Sequence, residues 1–244
     1  MMRKKIIIII ILIAVILIIA GIVILAKKEN TKDNYNATNE FEVPDVETDI
    51  NVLDKVNDLE MFFIKYLPIT DVNSLSNQMK LNFVSSLLEI SQNSTVKASI
   101  FSEALKYYFG PNISYTNEDI FDLVTNEKIM SYNEKKDEYS YINSPDDNNY
   151  INFLSSSELQ ETSDGIDIYR QYLFVDVSSS QYQIYSSYDD CLNKINSLGI
   201  YDLNSTNGIL SSSIVNDYKD SLPTVVYKFT KEKDKYYLNS ITIK

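Results

Sequence analysis

An α+β fold set behind an N-terminal apolar segment is the class that this sequence predicts, and three observations carry the prediction. Residues 6–26 contain no charge and are apolar almost throughout. Between residues 52 and 109 the apolar side chains recur three or four apart, the spacing of an amphipathic helix. Beyond residue 128 the spacing changes to alternation, as expected of strands with one buried face.

At about 1.5 Å of rise per residue, a helix of roughly 21 residues spans the hydrocarbon core of a bilayer. A cleaved secretory signal has a shorter apolar region, about 7–15 residues, and small residues before the cut. Here Ile24 stands where a small residue is wanted, and the sole cysteine, Cys191, is far from any lipidation position. The run therefore reads as an uncleaved signal anchor. Arg3, Lys4 and Lys5 precede it, whereas Lys27 and Lys28 are soon diluted by Glu29 and Asp33. The positive-inside rule then places residues 1–5 in the cytoplasm and everything after Lys27 outside, a single-pass protein of the cell membrane. Residues 27–50 are polar and acidic, with too little apolar surface to offset their ordering entropy, and read as a flexible stalk. Residues 51–244 remain as an extracytoplasmic domain.

Within that domain a first helix is expected over residues 52–66, with Val52, Val56, Leu59, Phe63 and Tyr66 on one stripe and Pro68 ending it. A second is expected over 74–92, aligning Leu75, Met79, Phe83, Leu87 and Ile90. A third, over 96–109, stops at Gly110-Pro111, because Gly accepts a left-handed cap and Pro cannot continue the helix. Thr116 to Asp119 resembles a helix start, with a short turn through Val124. Residues 128–142 read as two short Tyr-bearing strands about a charged turn. Residues 159–177 read as a hairpin at Asp164-Gly165, where a tight turn wants positive φ. A strand over 181–185 and a helix over 188–198, ended by Gly199, follow; residues 224–244 alternate, turn through 231–235 and alternate back. Serine triplets beginning at Ser155, Ser178 and Ser211 read as punctuation at turns.

Helices first and antiparallel strands after imply helices packed on one face of a curved sheet. That order resembles the cone-like folds of the cystatin and nuclear-transport-factor type. The segments EALKYYFGPN, YNEKKDEYSYI and VVYKFTKEKDKYYLNSI are also similar to stretches of uncharacterised membrane-anchored extracytoplasmic proteins of low-GC bacteria, over about a quarter of the domain. The resemblance implies no activity, ligand or site residue.

Composition excludes several chemistries. The chain has no histidine, so Ser-His-Asp and Cys-His nucleophile activation and the usual histidine-bearing zinc sites are ruled out. Its five glycines form neither a G-x-G-x-x-G nor a G-x-x-x-x-G-K loop, which removes the phosphate cradles of nucleotide enzymes. Three of the 22 basic residues precede the anchor, leaving 19 against 34 acidic ones and a formal charge of -15 beyond it. A surface of that sign repels nucleic acid. One cysteine allows no internal disulfide, so the fold depends on its core.

Two weaker site candidates remain. Ser94-Thr-Val-Lys97 matches the S-x-x-K pattern in which Lys activates Ser without histidine, with Ser131-Tyr-Asn133 as a companion S-x-N, although no K-[T/S]-G follows. An N-cap at Ser94 or Thr95 is the structural alternative. Asp202, Asn204 and Thr206 place oxygen ligands as a calcium loop would, but Gly208 falls one position late and Ser213 stands where the bidentate Glu belongs. Cys191, on a helical face with Tyr188, Leu192 and Ile195, reads as a small buried apolar residue. The 19 tyrosines suit half-buried strand positions or a glycan-binding platform. The expectation is thus a noncatalytic, cofactor-free and metal-free domain that binds an envelope protein or glycan. The alternative is an envelope hydrolase or acyl transferase using carboxylates or the Ser94–Lys97 pair.

Overall fold

The computed structural model describes residue 44 and residues 47–88, 94–143, 151–178, 181–202 and 213–244. The segment expected as an anchor, 6–26, and nearly all of the segment expected as a stalk, 27–50, lie outside them. Among the described residues no helix is long and apolar enough to cross a membrane. The class is α+β, with helices and antiparallel sheets.

Helix α1, Asp49–Phe63, begins where the Thr48 backbone N–H donates to Asn51 Oδ1 at 2.9 Å. It continues into a 3-10 turn, Ile64–Tyr66, ahead of Pro68. Val52, Val56, Leu59 and Phe63 are fully buried, as the stripe requires. The folded unit starts earlier than residue 51, since Glu47 is buried and helix begins at Asp49. Helix α2, Asn77–Leu87, is shorter than expected because the Ser76 side chain accepts from the Met79 N–H and so becomes the N-cap. Val72–Ser74 forms a separate 3-10 turn capped by Asp71. Helix α3, Ala98–Phe109, ends at Gly110 as expected; its φ of 96° is positive, but with ψ at 164° it is not the left-handed cap anticipated there. Phe63, Phe83, Tyr108 and Phe109 meet where the three helices join, with ring centroids 4.9–6.2 Å apart for Phe83–Tyr108 and Phe63–Phe109.

The strands divide between two sheets rather than one. The smaller has the order β1-β4-β3-β2, formed by β1 (Thr95–Lys97), β2 (Ile120–Phe121), β3 (Lys128–Asn133) and β4 (Glu138–Tyr141). β1 replaces the expected first turn of α3: β-branched Thr95 and Val96 pair with Ser140 and Tyr139 of β4. Thr116 to Asp119 is not a helix start. The Asn77 amide bonds both the Thr116 N–H and C=O, and the Gln78 amide bonds the Asp119 C=O and Phe121 N–H, so α2 side chains take over this backbone.

The larger sheet is built on β6, Gly165–Ser178, with β5 (Asn152–Glu161), β7 (Gln181–Tyr185), β8 (Gly199–Asp202), β9 (Thr224–Glu232) and β10 (Lys235–Ile243). Residues 166–171 of β6 pair with both β5 and β9, while residues 174 and 175 pair with both β5 and β7. A strand residue has two edges, so β5 occupies one edge of β6, and β9 and β7 share the other with a gap at Tyr172-Leu173. Ile166, Ile168, Tyr172 and Phe174 face the main core with α1, α2 and α3; Leu173 and Val175 face a second cluster under helix α5, Ser213–Tyr218, which contributes Ile214 and Val215.

Two glycines differ from expectation. Gly165 does not adopt positive φ; it opens β6, and a Cβ there would collide with the Phe229 carbonyl oxygen. The turn needs glycine for close strand approach. Gly199 opens β8, whereas helix α4, Tyr188–Asn193, is ended by Lys194 in the left-handed conformation. Ser155 to Ser157 lie inside β5, not at a turn.

Candidate functional site

Alternation along β6 places Arg170 on the same face as Ile166, Ile168, Tyr172 and Phe174, directly beneath α1. Its guanidinium is held by Nη1 donating to Ser155 Oγ at 2.9 Å and Nη2 donating to Asn57 Oδ1 at 2.8 Å. Arg170 Nε makes no hydrogen bond and lies 3.7 Å from Glu60 Oε2. Glu60, buried on α1, accepts from Tyr172 Oη at 2.7 Å; that proton being used, the Tyr227 hydroxyl donates to Tyr172 at 2.8 Å. Burial raises the Glu60 carboxyl above its usual range, against the opposing pull of Arg170 and the Tyr172 hydrogen bond. Burial also drives Tyr172 well above an ordinary phenol.

Tyr172 also lines a cavity of about 130 Å³, set in the gap between the end of β7 and the start of β9. Phe174, Val225 and Leu67 supply apolar wall, and Lys65, Ser187 and Asp189 add polar groups. Glu60 reaches this space only through Tyr172, whose hydroxyl is committed to Glu60 and Tyr227.

A second buried charge cluster lies between α1, α3 and β10. Lys55 Nζ donates to both Glu47 oxygens at 3.0 and 2.9 Å, to Tyr107 O at 2.8 Å and to Tyr236 O at 2.6 Å. It stands 3.8 Å from the centroid of the Tyr107 ring. Both side chains of the ion pair have no solvent exposure. Burial pulls the Lys55 ammonium down from 10.5 to about 8, with Glu47 opposing. Glu47 also accepts from the Tyr236 N–H at 3.0 Å, so the cluster ties the beginning of the domain to β10.

A cleft of about 540 Å³ lies between the β5–β6 and β9–β10 turns, which are adjacent because Gly165 pairs with Thr230. Thr162, Ser163, Asp164, Lys231, Lys233 and Tyr236 supply its hydroxyls, charges and single ring. Lys231 Nζ lies 5.1 Å from the Tyr236 ring centroid.

The residues singled out in the sequence are placed elsewhere. Ser94 precedes β1 and Lys97 ends it, so they lie on extended chain, where three residues cover about 10 Å, rather than one turn apart on a helix. Lys97 Nζ bonds Glu138 Oε2 at 3.3 Å, and Ser131 Oγ bonds Asp119. Lys97, not Ser94 or Thr95, is the N-cap of α3, and its side chain makes no capping bond. Asn204, Thr206 and the Asp202 side chain lie outside the described residues; among the described residues no three acidic or cysteine side chains are grouped to hold a metal ion. Cys191 is buried, and burial lifts its thiol to about 11, whereas Leu192 and Ile195 are exposed. The largest fully buried side chains include Tyr139, Tyr185 and Tyr227, so part of the tyrosine content fills core.

Comparison with known proteins finds no family model, no curated protein and no solved structure that matches the chain.

Proposed function

We propose that this chain is a single-pass protein anchored by residues 6–26, with its N-terminus cytoplasmic, and that its extracytoplasmic domain binds an envelope protein or glycan without transforming it. The observation that carries the reading is where the polar groups are spent. Lys55, Glu47, Glu60 and Arg170 are closed in by α1 and bonded to one another, to backbone or to neighbouring side chains. The open cleft is lined by hydroxyls, two ammoniums, carboxylates and a ring, groups suited to recognition through many weak polar contacts. The finer fold reading, helices seated on the concave face of a cone, rests on α1 lying across the core face of β6.

Cosedimentation of the full chain in membrane vesicles with purified wall polysaccharide, beside immobilised envelope proteins, tests the reading. Binding should fall about tenfold in Lys231→Glu/Lys233→Glu, which reverses the two ammoniums of the cleft. Wild-type and double-variant binding that are equal would remove the cleft from the proposal. The enzyme alternative draws on one observation, the raised carboxyl of Glu60 linked through Tyr172 to a cavity. Soluble products released from the polysaccharide by wild type, and not by Glu60→Gln, would establish it instead. For orientation, a membrane-impermeant label should reach residues after Lys27 in intact cells and leave the first five untouched.

A further inference from the structure

The two long outer edges of the larger sheet are treated differently. The β10 edge is closed by the chain itself: Ile69 exchanges both backbone bonds with Ile241 at 2.8 and 2.7 Å, Glu47 accepts the Tyr236 N–H, and Lys55 bonds the Tyr236 C=O. β5 is paired with β6 at all ten of its positions, yet among the described residues nothing pairs with its other edge. A ten-residue open edge is a template for another strand, and native sheets ordinarily shorten, cover or heavily charge such an edge. The sequence of β5, NFLSSSELQE, carries acids only in its second half, at Glu158 and Glu161.

We infer that β5 pairs with β5 of a second copy of this chain, antiparallel and about a two-fold axis at Ser156, joining two sheets into one. The register follows from the faces. Phe153 and Leu159 pack toward the main core while Leu154 packs toward the second cluster. Directly opposed residues in a sheet share a face, so odd-numbered positions must meet odd-numbered ones, and the axis passes through a residue. Centring on Ser156 sets Phe153 against Leu159 of the second copy, Ser155 against Ser157, and Leu154 against Glu158, so the two partly buried apolar side chains extend the core across the axis. Centring on Ser157 instead sets Phe153 against Glu161 and Leu159 against Ser155, losing that contact. In the Ser156 register no two acids stand opposite each other, and the small serines allow the backbones to close. This pairing is independent of what the polar cleft binds.

Disulfide trapping in membranes of cells producing the full chain tests both contact and register. Directly opposed residues have Cα atoms about 4.5–5.5 Å apart, within disulfide reach, whereas residues displaced by two positions are about 8 Å apart. Oxidation should therefore give a covalent dimer from Ser156→Cys and from coexpressed Ser155→Cys and Ser157→Cys, but from neither of the last two alone. Wild type, whose Cys191 is buried, sets the background. Light scattering of the detergent-solubilised full chain should give a dimer, weakened about tenfold by Ser156→Lys, which opposes two ammoniums at the axis. No dimer from Ser156→Cys while Cys191 stays protected in a folded protein overturns the pairing. Equal trapping at all three serines overturns the register.

Discussion

Replacing Lys55 by Met should be among the most damaging single changes in the domain. The substitution keeps the aliphatic stem and removes the ammonium, leaving the unexposed Glu47 carboxylate with the Tyr236 N–H and leaving the Tyr107 and Tyr236 carbonyls without that donor. Removing one partner of a buried ion pair costs about 3–5 kcal/mol. In a domain near 200 residues, each kcal/mol moves Tm by roughly 2–4 °C, so urea titration and thermal scanning should register a loss of about 6–20 °C. Adding Glu47→Gln to Lys55→Met removes the stranded charge, so the double variant should be no less stable than Lys55→Met alone. The pH dependence supplies a second readout. The folded pKa of Lys55 is depressed from 10.5 to about 8. Between those values the unfolded chain binds more protons at this site, so the stability it contributes is present above 10.5 and lost as pH falls through 8. The stability of wild type relative to Lys55→Met should therefore rise from pH 8 to 10.5. A loss below about 1 kcal/mol, or a relative stability that falls across that window, would refute the reasoning.

Gly165→Ala should cost about 2–3 kcal/mol by denaturant unfolding, because the new Cβ meets the Phe229 backbone oxygen, which cannot rotate away. Arg170→Met leaves the buried Glu60 carboxyl without its cation and should cost about 3–5 kcal/mol at neutral pH. Because the folded pKa of Glu60 is already raised, its stabilising contribution is present below the unfolded value near 4.5 and lost as pH rises. Removing Arg170 should carry that loss to higher pH, visible as a displaced stability profile. Tyr172→Phe should cost about 1–2 kcal/mol, since it deletes the hydrogen bond to Glu60 and orphans the Tyr227 hydroxyl. With its thiol raised to about 11 and shielded by the core, Cys191 should resist a thiol reagent at pH 8 until urea is added; prompt reaction of the folded chain would contradict its placement.

Local physics was legible without coordinates. The Val52–Phe63 stripe, the Gly110 stop and the β3–β4 and β9–β10 hairpins follow from side-chain period and from what Gly and Pro do to a backbone; Cys191 is buried, but Leu192 and Ile195, expected beside it on one helical face, are exposed. The absence of histidine removed whole classes of catalysis by itself. Arg170 could have been found in the same way, because its parity with Ile168 and Tyr172 puts a cation on the buried face of β6. Lys55 shows where such reading stops. Its neighbours Asp54 and Val56 look like any border between polar and apolar helix faces, and its acceptors come from residues 47, 107 and 236. The fate of Ser94 and Lys97, the close approach that requires Gly165, and the open edge of β5 likewise depended on which strand became whose neighbour. Period along a chain reports which face of an element is apolar. Which partner covers it is set by long-range pairing, whose energy is spread over residues far apart in sequence and leaves no local pattern.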